Sequence, residues 1–342
     1  MCTTITMDSL KILYLDCHSI LSYDEIKLFT EMGHDVFSMG GSYLNPNMPA
    51  DPKRPAIKLP IHQQLMDVAS QCSKDDIHPE LIEWADVIYV QHIGKWIINN
   101  WPKIKHKQVI WRTIGQSVPQ TESELALFRV QGLKIVRYSP MEKEIKGYIG
   151  EDAMIRFYKD PNEFGPWNGK DGGLMTVAQS MKKRGAFCGF DIFNEVSVGL
   201  DRFVYGPGND DIDYWAGELP YEELQNAYKK HGVYLYTGTY PASYTLNFIE
   251  AFMTGIPMVC IGEALSNIGV YDIHAYEIPH IINHGINGFI SDDKNEMKQY
   301  IKLLLTDKDL SSSISSEARI KAIELFGKDT IKNQWEEFFN GI

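Results

Sequence analysis

Apolar and polar positions along this chain fall into short apolar runs separated by longer stretches with helical spacing, the pattern of alternating strands and helices. Lys11-Ile-Leu-Tyr-Leu-Asp16 reads as the first strand and Asp35-Val-Phe-Ser38 as the second. Val87–Val90, Val109–Trp111, Lys134–Arg137 and Ile155–Tyr158 complete a first set. The spacing predicts helices over 24–32, 61–71, 78–84, 121–130 and 140–149, while 41–60, with five prolines, reads as loop. The segment Asp160–Gly173 is rich in Pro, Gly, Asn and Asp and reads as a linker. The pattern then restarts with strands at Leu174–Val177, Arg202–Tyr205, Val233–Thr237 and Ile256–Ile261. Helices are expected over 221–230, 293–305 and 311–325, with a last amphipathic one from Lys328 to Phe339. Such alternation implies two α/β halves, each a parallel sheet covered on both faces.

One stretch breaks the pattern informatively. Tyr240–Val259 holds a short helix that is apolar all round except for Glu250. A helix without a polar face is buried. A carboxylate inside it must be paired, hydrogen-bonded or used. Ser243 or Thr245 is placed to cap the helix, and Gly255 with Pro257 to end it. Strand, short helix and parallel strand make a unit whose ligands bind beyond the first strand, at the helix N-terminus.

Composition narrows the function classes. The chain has 342 residues, 44% hydrophobic and 23% charged, enough for two domains with sizeable cores. A net charge of −12 argues against a general nucleic-acid or anionic-membrane surface. A local patch at Lys103, Lys105, His106 and Lys107 keeps a polyanionic acceptor open. The five cysteines have no metal-ligand spacing and read as reduced thiols of a cytoplasmic protein. Neither a signal peptide nor an apolar run of membrane-spanning length is expected. No G-x-G-x-x-G follows Lys11–Asp16, which argues against a dehydrogenase.

Six motifs in order resemble glycosyltransferase family 4, of the GT-B type. Glu250-Ala-Phe-Met-Thr-Gly-Ile-Pro-Met-Val is similar to that family's E-A-M-A-x-G-x-P-V-V signature. Gly217–Leu224 resembles its G-x-x-x-x-E-E-L turn and helix, and His284–Ile290 its D-G-x-N-G-x-L. Met32–Val36, Asp86–His92 and Tyr158–Phe164 resemble three further family segments. The resemblance covers nearly the whole chain and is strongest from about 174 to 325. It implies two Rossmann-like doubly wound domains facing across a cleft: 1–163 on the acceptor side, 174–325 for the nucleotide sugar, and 326–342 as a helix crossing back to the first domain. It also implies a retaining, metal-independent hexosyltransferase with no cofactor, whose co-substrate is a nucleoside-diphosphate sugar such as a UDP-sugar.

The resemblance assigns roles residue by residue. Glu250 would hold the donor ribose, since a carboxylate accepts from two vicinal hydroxyls. Thr245 and Leu246 would offer amides to the diphosphate, with Ser243 or Asn247 as further partners. The family's two diphosphate cations fall on Gln179 and Arg184, with Lys183 adjacent; a guanidinium suits bidentate phosphate binding. Gly206 lies in a turn lining the cleft, for which a plain tight turn is the alternative, and Leu219 in the loop that meets the base. His92 at a strand end and Arg184 are the catalytic candidates. Arg112 or Thr113 stands where the family often has an active-site His, so Arg112 is a candidate for a phosphate or anionic acceptor, with an ion pair as the alternative.

Three departures mark this site: Ala242 where the family has a carboxylate and His280 for a Glu, both at its sugar end, and Gln179 for an Arg at its diphosphate end. They support two other readings, a catalytically degenerate GT-B protein binding a nucleotide or partner, and a sugar-nucleotide epimerase on the same fold. Asp211-Ile-Asp213, a metal-binding pattern in other glycosyltransferase folds, reads here as part of a solvated acidic loop.

Overall fold

A computed structural model describes residues 9–38, 54, 62–72, 75–115, 117–271, 273 and 275–342. The proline-rich loop expected over 41–60 lies, save for residue 54, outside the described residues. The chain forms two compact units, 1–156 with 331–342, and 157–330.

The first unit runs β1 (Lys11–Leu15), α1 (Ser19–Glu31), β2 (Asp35–Ser38), α2 (Gln63–Ala69), α3 (Pro79–Trp84), β3 (Val87–Gln91), α4 (Lys95–Ile104), β4 (Gln108–Arg112), α5 (Pro119–Val130), β5 (Lys134–Arg137) and β6 (Ala153–Met154). Its strands form one sheet in the order β2-β1-β3-β4-β5-β6, with parallel pairing. Every residue of β3 is buried, as a central parallel strand requires. Residues 140–144 form a short 3-10 turn rather than the expected helix, and 155–158 do not form a strand.

The second unit runs β7 (Gly172–Val177), α6 (Met181–Arg184), α7 (Phe190–Ser197), β8 (Arg202–Tyr205), β9 (Trp215–Gly217), α8 (Tyr221–Lys230), β10 (His231–Tyr236), α9 (Leu246–Thr254), β11 (Met258–Ile261), α10 (Glu263–Ser266), α11 (Ile278–Ile281), β12 (Phe289–Ser291), α12 (Lys294–Thr306) and α13 (Lys308–Phe326). Its sheet order is β12-β11-β10-β7-β8-β9, again parallel. This is the doubly wound dinucleotide-type order, with its reversal between β7 and β10. α9 buries Phe248 through Thr254 and ends at Gly255, whose φ of 82° needs no Cβ.

The last helix, α14 (Lys328–Asn340), buries Ile331, Trp335, Phe338 and Phe339 along one stripe. In the first unit Trp335 meets Phe29 edge-on at 5.0 Å, and Phe339 does so at 5.3 Å.

The expected linker is bound structure. The indole of Trp167 donates to the carbonyl of His231 at 2.6 Å, and its amide to that of Thr254 at 3.1 Å. Arg319 donates to the carbonyls of Pro161, Phe164 and Met253. These bonds fasten 160–173 to the second unit. No helix among the described residues is long and apolar enough to cross a membrane.

Candidate functional site

In the second unit the candidate site lies where the strand order reverses, outside the carboxyl ends of β7 and β10. α9 starts there. Its N-cap is Thr245, but no side chain caps the helix. The Thr245 hydroxyl instead donates to the Tyr236 hydroxyl at 3.2 Å and pairs with Asn247. The Asn247 amide donates to the carbonyl of Val177, tying the end of β7 to the helix start. Thr245, Leu246 and Asn247 remain half-buried. Uncapped first-turn amides with the positive end of the helix dipole make an anion site.

The loop after β7 is held by a clasp that the sequence reading missed. Asn209, fully buried, accepts from the amide of Met181 at 2.6 Å and donates to the carbonyls of Ala178 at 2.6 Å and Gly206 at 3.1 Å. Gly206 has φ of 115°, and a Cβ there would lie 2.4 Å from the carbonyl oxygen of Ala178. The Gly206 turn is thus a close backbone approach that only glycine permits. Asn209 stood in an acidic run; its signal was its place directly after Gly-Pro-Gly.

Beyond the clasp, Lys182, Lys183 and Arg184 are exposed on the four-residue α6. Lys182 donates to the carbonyl of Asp211 at 2.9 Å and lies 3.8 Å from its carboxylate. Asp211 of the Asp-x-Asp is therefore a counter-charge for Lys182. Lys183 and Arg184 form no ion pair with a described residue, so their charges are uncommitted. Gln179 and His280 are exposed. Among the described residues no group of three or more His, Cys, Asp or Glu is arranged to hold a metal ion.

Glu250 is the fifth residue of α9. Its Oε1 sits 2.8 Å from Lys159 Nζ, and its Oε2 accepts from the Tyr228 hydroxyl at 3.2 Å. The pair is buried, with side-chain exposures of 2% for Lys159 and 7% for Glu250. The buried carboxylate read from the sequence has a partner base in Lys159, one residue before the expected linker.

Ser243 is fully buried, and its carbonyl accepts from the Glu277 amide at 3.0 Å. It props the turn before α9 and does not line an open surface. Leu219 is half-buried between β9 and α8.

In the first unit His92 follows β3 with φ of 59°, a left-handed conformation uncommon for a residue with a Cβ. Its amide donates to the carbonyl of Arg112 at 2.8 Å, and its own carbonyl accepts from the Trp111 indole at 2.9 Å. Burial lowers the imidazole pKa, and Nδ1 is shielded with no hydrogen-bond partner. Burial therefore favours the uncharged ring.

Arg112 is committed to the core. It is fully buried, and its Nε donates to Glu25 at 3.0 Å. One Nη donates to the carbonyls of Ile155 at 2.6 Å and Arg137 at 3.1 Å. Glu25 also accepts from Tyr14 at 2.6 Å and Tyr89 at 2.8 Å. That network rules out the anion-binding role considered for Arg112 and makes it a buried ion pair. Thr113 is likewise buried, donating to Glu142 at 2.7 Å. In the basic patch, Lys103 pairs with Asp76 and His106 lies 3.8 Å from Glu83.

No protein-family model matches the chain, and no curated protein matches it in sequence. Solved structures do match. A glycosyltransferase from Rickettsia africae is 13% identical with a TM-score of 0.70, over 98% of this chain and 99% of that one. Sucrose-phosphate synthase from Thermosynechococcus elongatus is 11% identical with a TM-score of 0.67, over 97% and 98%. Anabaena HepE, in complex with UDP-glucose, is 14% identical with a TM-score of 0.64, over 97% and 100%. The chain has the two-domain α/β fold of GT-B glycosyltransferases.

Proposed function

We propose that this chain is a glycosyltransferase that takes a sugar from a nucleoside-diphosphate sugar, with UDP as the first nucleotide to test, and passes it to a separate acceptor. The observation that carries the reading is the uncapped start of α9 at the β7–β10 reversal, in a unit whose β7 loop presents the uncommitted Lys183 and Arg184. Its similarity in fold to a structure holding UDP-glucose supports the same donor class.

In this reading the amides of Thr245 and Leu246 and the Arg184 guanidinium hold the diphosphate, with Lys183 adding charge. Cleavage of the sugar–phosphate bond leaves negative charge on the departing diphosphate. Fixed amides and a guanidinium stabilise that charge more than they stabilise the bound donor. The reaction retains configuration, the leaving phosphate takes the acceptor proton, and no metal is needed. Glu250 holds the ribose, as the family resemblance implies, while Gly206 and Leu219 border the nucleoside. The thiols of Cys17, Cys72, Cys188 and Cys260 are free, in keeping with a cytoplasmic setting.

One rival has a specific observation behind it. Ala242 in place of a carboxylate, with Glu250 already paired, favours a protein that binds a nucleotide without turning it over. Calorimetry with UDP, GDP and ADP, followed by a donor panel assayed with and without acceptors, separates the readings. Binding with turnover only when an acceptor is present supports the transferase. Binding with no turnover supports the rival, and product from donor alone points to an epimerase. No nucleotide binding refutes all three.

A further inference from the structure

We propose that the groove between the edge strand β6 and the last helix α14 receives an extended peptide segment of a partner protein, one that carries a lysine or arginine. The groove holds about 430 Å³, within the range of binding clefts. It lies wholly in the first unit, apart from α9 and the β7 loop, and does not depend on the glycosyltransferase reading.

One wall is an open sheet edge. β6 ends the order β2-β1-β3-β4-β5-β6, so among the described residues no strand covers its outer side. The amide of Ile155 donates to the carbonyl of Arg137 at 2.8 Å, toward β5. The amide of Tyr138, just past β5, goes to Glu142 at 3.0 Å and not to β6. Alternation along the strand therefore turns the amide and carbonyl of Met154 to the open edge. Arg112 holds the Ile155 carbonyl at 2.6 Å, which keeps that edge in place. A donor and an acceptor fixed in this way match the main chain of one added strand. In that mode of recognition backbone bonds supply affinity and alternate side chains supply selectivity.

The walls select the segment. Phe338, packed edge-on against Trp335 at 5.7 Å, joins Ile155 and Met154 as apolar lining. Every second side chain of the added strand is therefore best apolar. Charge chooses the rest. Lys134 and Asp152 both line the groove and are tied to each other at 3.3 Å. Glu337 lines it as well, is exposed, and forms no ion pair with a described residue. The amide oxygen of Gln334, on the same wall, has no hydrogen-bond partner among the described residues. A lysine or arginine on the segment meets the Glu337 carboxylate while its stem covers Phe338. An acidic segment would meet the same carboxylate with no uncommitted cation beside it.

The test selects phage-displayed random heptapeptides on the immobilised full chain. Calorimetry with a synthetic copy of the most enriched peptide follows. Enriched peptides should combine Lys or Arg with apolar residues at alternate positions. Methylating the peptide's backbone amides one at a time should weaken binding only at alternate positions, as pairing along one edge requires. Glu337→Lys should weaken binding about fivefold or more, whereas Glu336→Lys, the same charge change outside the groove, should leave it within about twofold. Met154→Pro removes the outward amide and should also weaken binding, with folding checked by circular dichroism. Glu337→Lys, at an exposed position, decides the matter if the proline variant fails to fold. No enrichment, enriched peptides without a basic residue, equal effects of Glu337→Lys and Glu336→Lys, or tolerance of methylation at every position would overturn the proposal. So would self-association of the chain in sedimentation, lost in Glu337→Lys and unaffected by peptide, which would put a second copy in the groove.

Discussion

Lys159→Met removes one charge from the buried pair and little else, because methionine keeps a long apolar side chain. In the parent the ammonium sits 2.8 Å from Glu250 Oε1, and both side chains are shielded from water. Without it the carboxylate stays buried with the Tyr228 hydroxyl at its other oxygen. Breaking a buried ion pair by removing one partner costs about 3–5 kcal/mol, mostly the desolvation of the charge left behind. Glu250→Gln strands the ammonium instead and should cost a similar amount. The double variant removes both desolvation penalties. It should therefore be at least about 2 kcal/mol more stable than the sum of the single losses implies. For a unit of this size about 2–4 °C accompanies each kcal/mol, so either single variant should lower the melting transition of the second unit by about 6–20 °C. Differential scanning calorimetry at pH 7 measures it. Single losses under about 1 kcal/mol, or additive losses in the double variant, would refute the view that the two charges form one unit. UDP titration below the melting range then separates structure from function. Glu250→Gln should weaken UDP at least about tenfold if Glu250 holds the ribose. UDP affinity equal to the parent's in both single variants would leave Glu250 with a purely structural role.

Three further outcomes can be checked on the same material. Arg184→Ala, at an exposed position, should change stability by no more than about 0.5 kcal/mol. It should lower UDP affinity about tenfold or more and leave that for uridine unchanged; equal losses would exclude a phosphate contact. Gly206→Ala should destabilise by about 2 kcal/mol or more in urea unfolding, because the new Cβ meets the Ala178 carbonyl at 2.4 Å with φ at 115°; near-parent stability would show that the clasp is not needed. Burial pushes the Asp16 carboxyl up from 3.8 to about 6, so the folded state holds this proton more tightly than the unfolded chain does. Its stabilising contribution is full below about pH 4 and is lost as pH rises through about 6. Asp16→Asn should therefore stabilise the protein at pH 7 by roughly 1–3 kcal/mol and give no gain at pH 4; equal effects at both values would contradict the cause assigned.

The alternation of strands and helices was legible because each parallel strand is a short run buried on both faces, as in β3 and β11. α4 was not, since Pro102 lies inside it and argues locally against a helix. Its buried Ile97, Trp101 and Ile104 supply the packing that overrides that signal. The misread linker has the same cause. Composition at 160–173 is that of a loop, and what fixes it is Arg319 from a helix distant in sequence. At the candidate site Glu250 was conspicuous because its neighbours are apolar. Lys159 was not, because nothing local to Tyr158-Lys159-Asp160 marks it as a partner for α9. Arg112 misled for the converse reason: an arginine ending an apolar strand looks available until Glu25, Tyr14 and Tyr89 are seen around it.

The two sheets share a topology rule but differ in chemistry at their reversals, and that difference decides which unit can receive a phosphate. In the first unit Gln91 Oε1 accepts from the amides of Cys17 and His18, both at 3.0 Å, and from the Ser22 hydroxyl at 3.1 Å. The His18 ring accepts from the amide of Leu21 at 3.3 Å. The donors of the β1–α1 turn are thus spent within the fold. Asp16, next in line, resists ionisation and would repel an anion once charged. At the reversal in the second unit no side chain caps α9, and the β7 loop carries Lys183 and Arg184 without partners among the described residues. An anion placed there gains hydrogen bonds that the fold has not already used. An anion at the first reversal would have to compete with Gln91 for the same donors. The proposed diphosphate therefore belongs with α9.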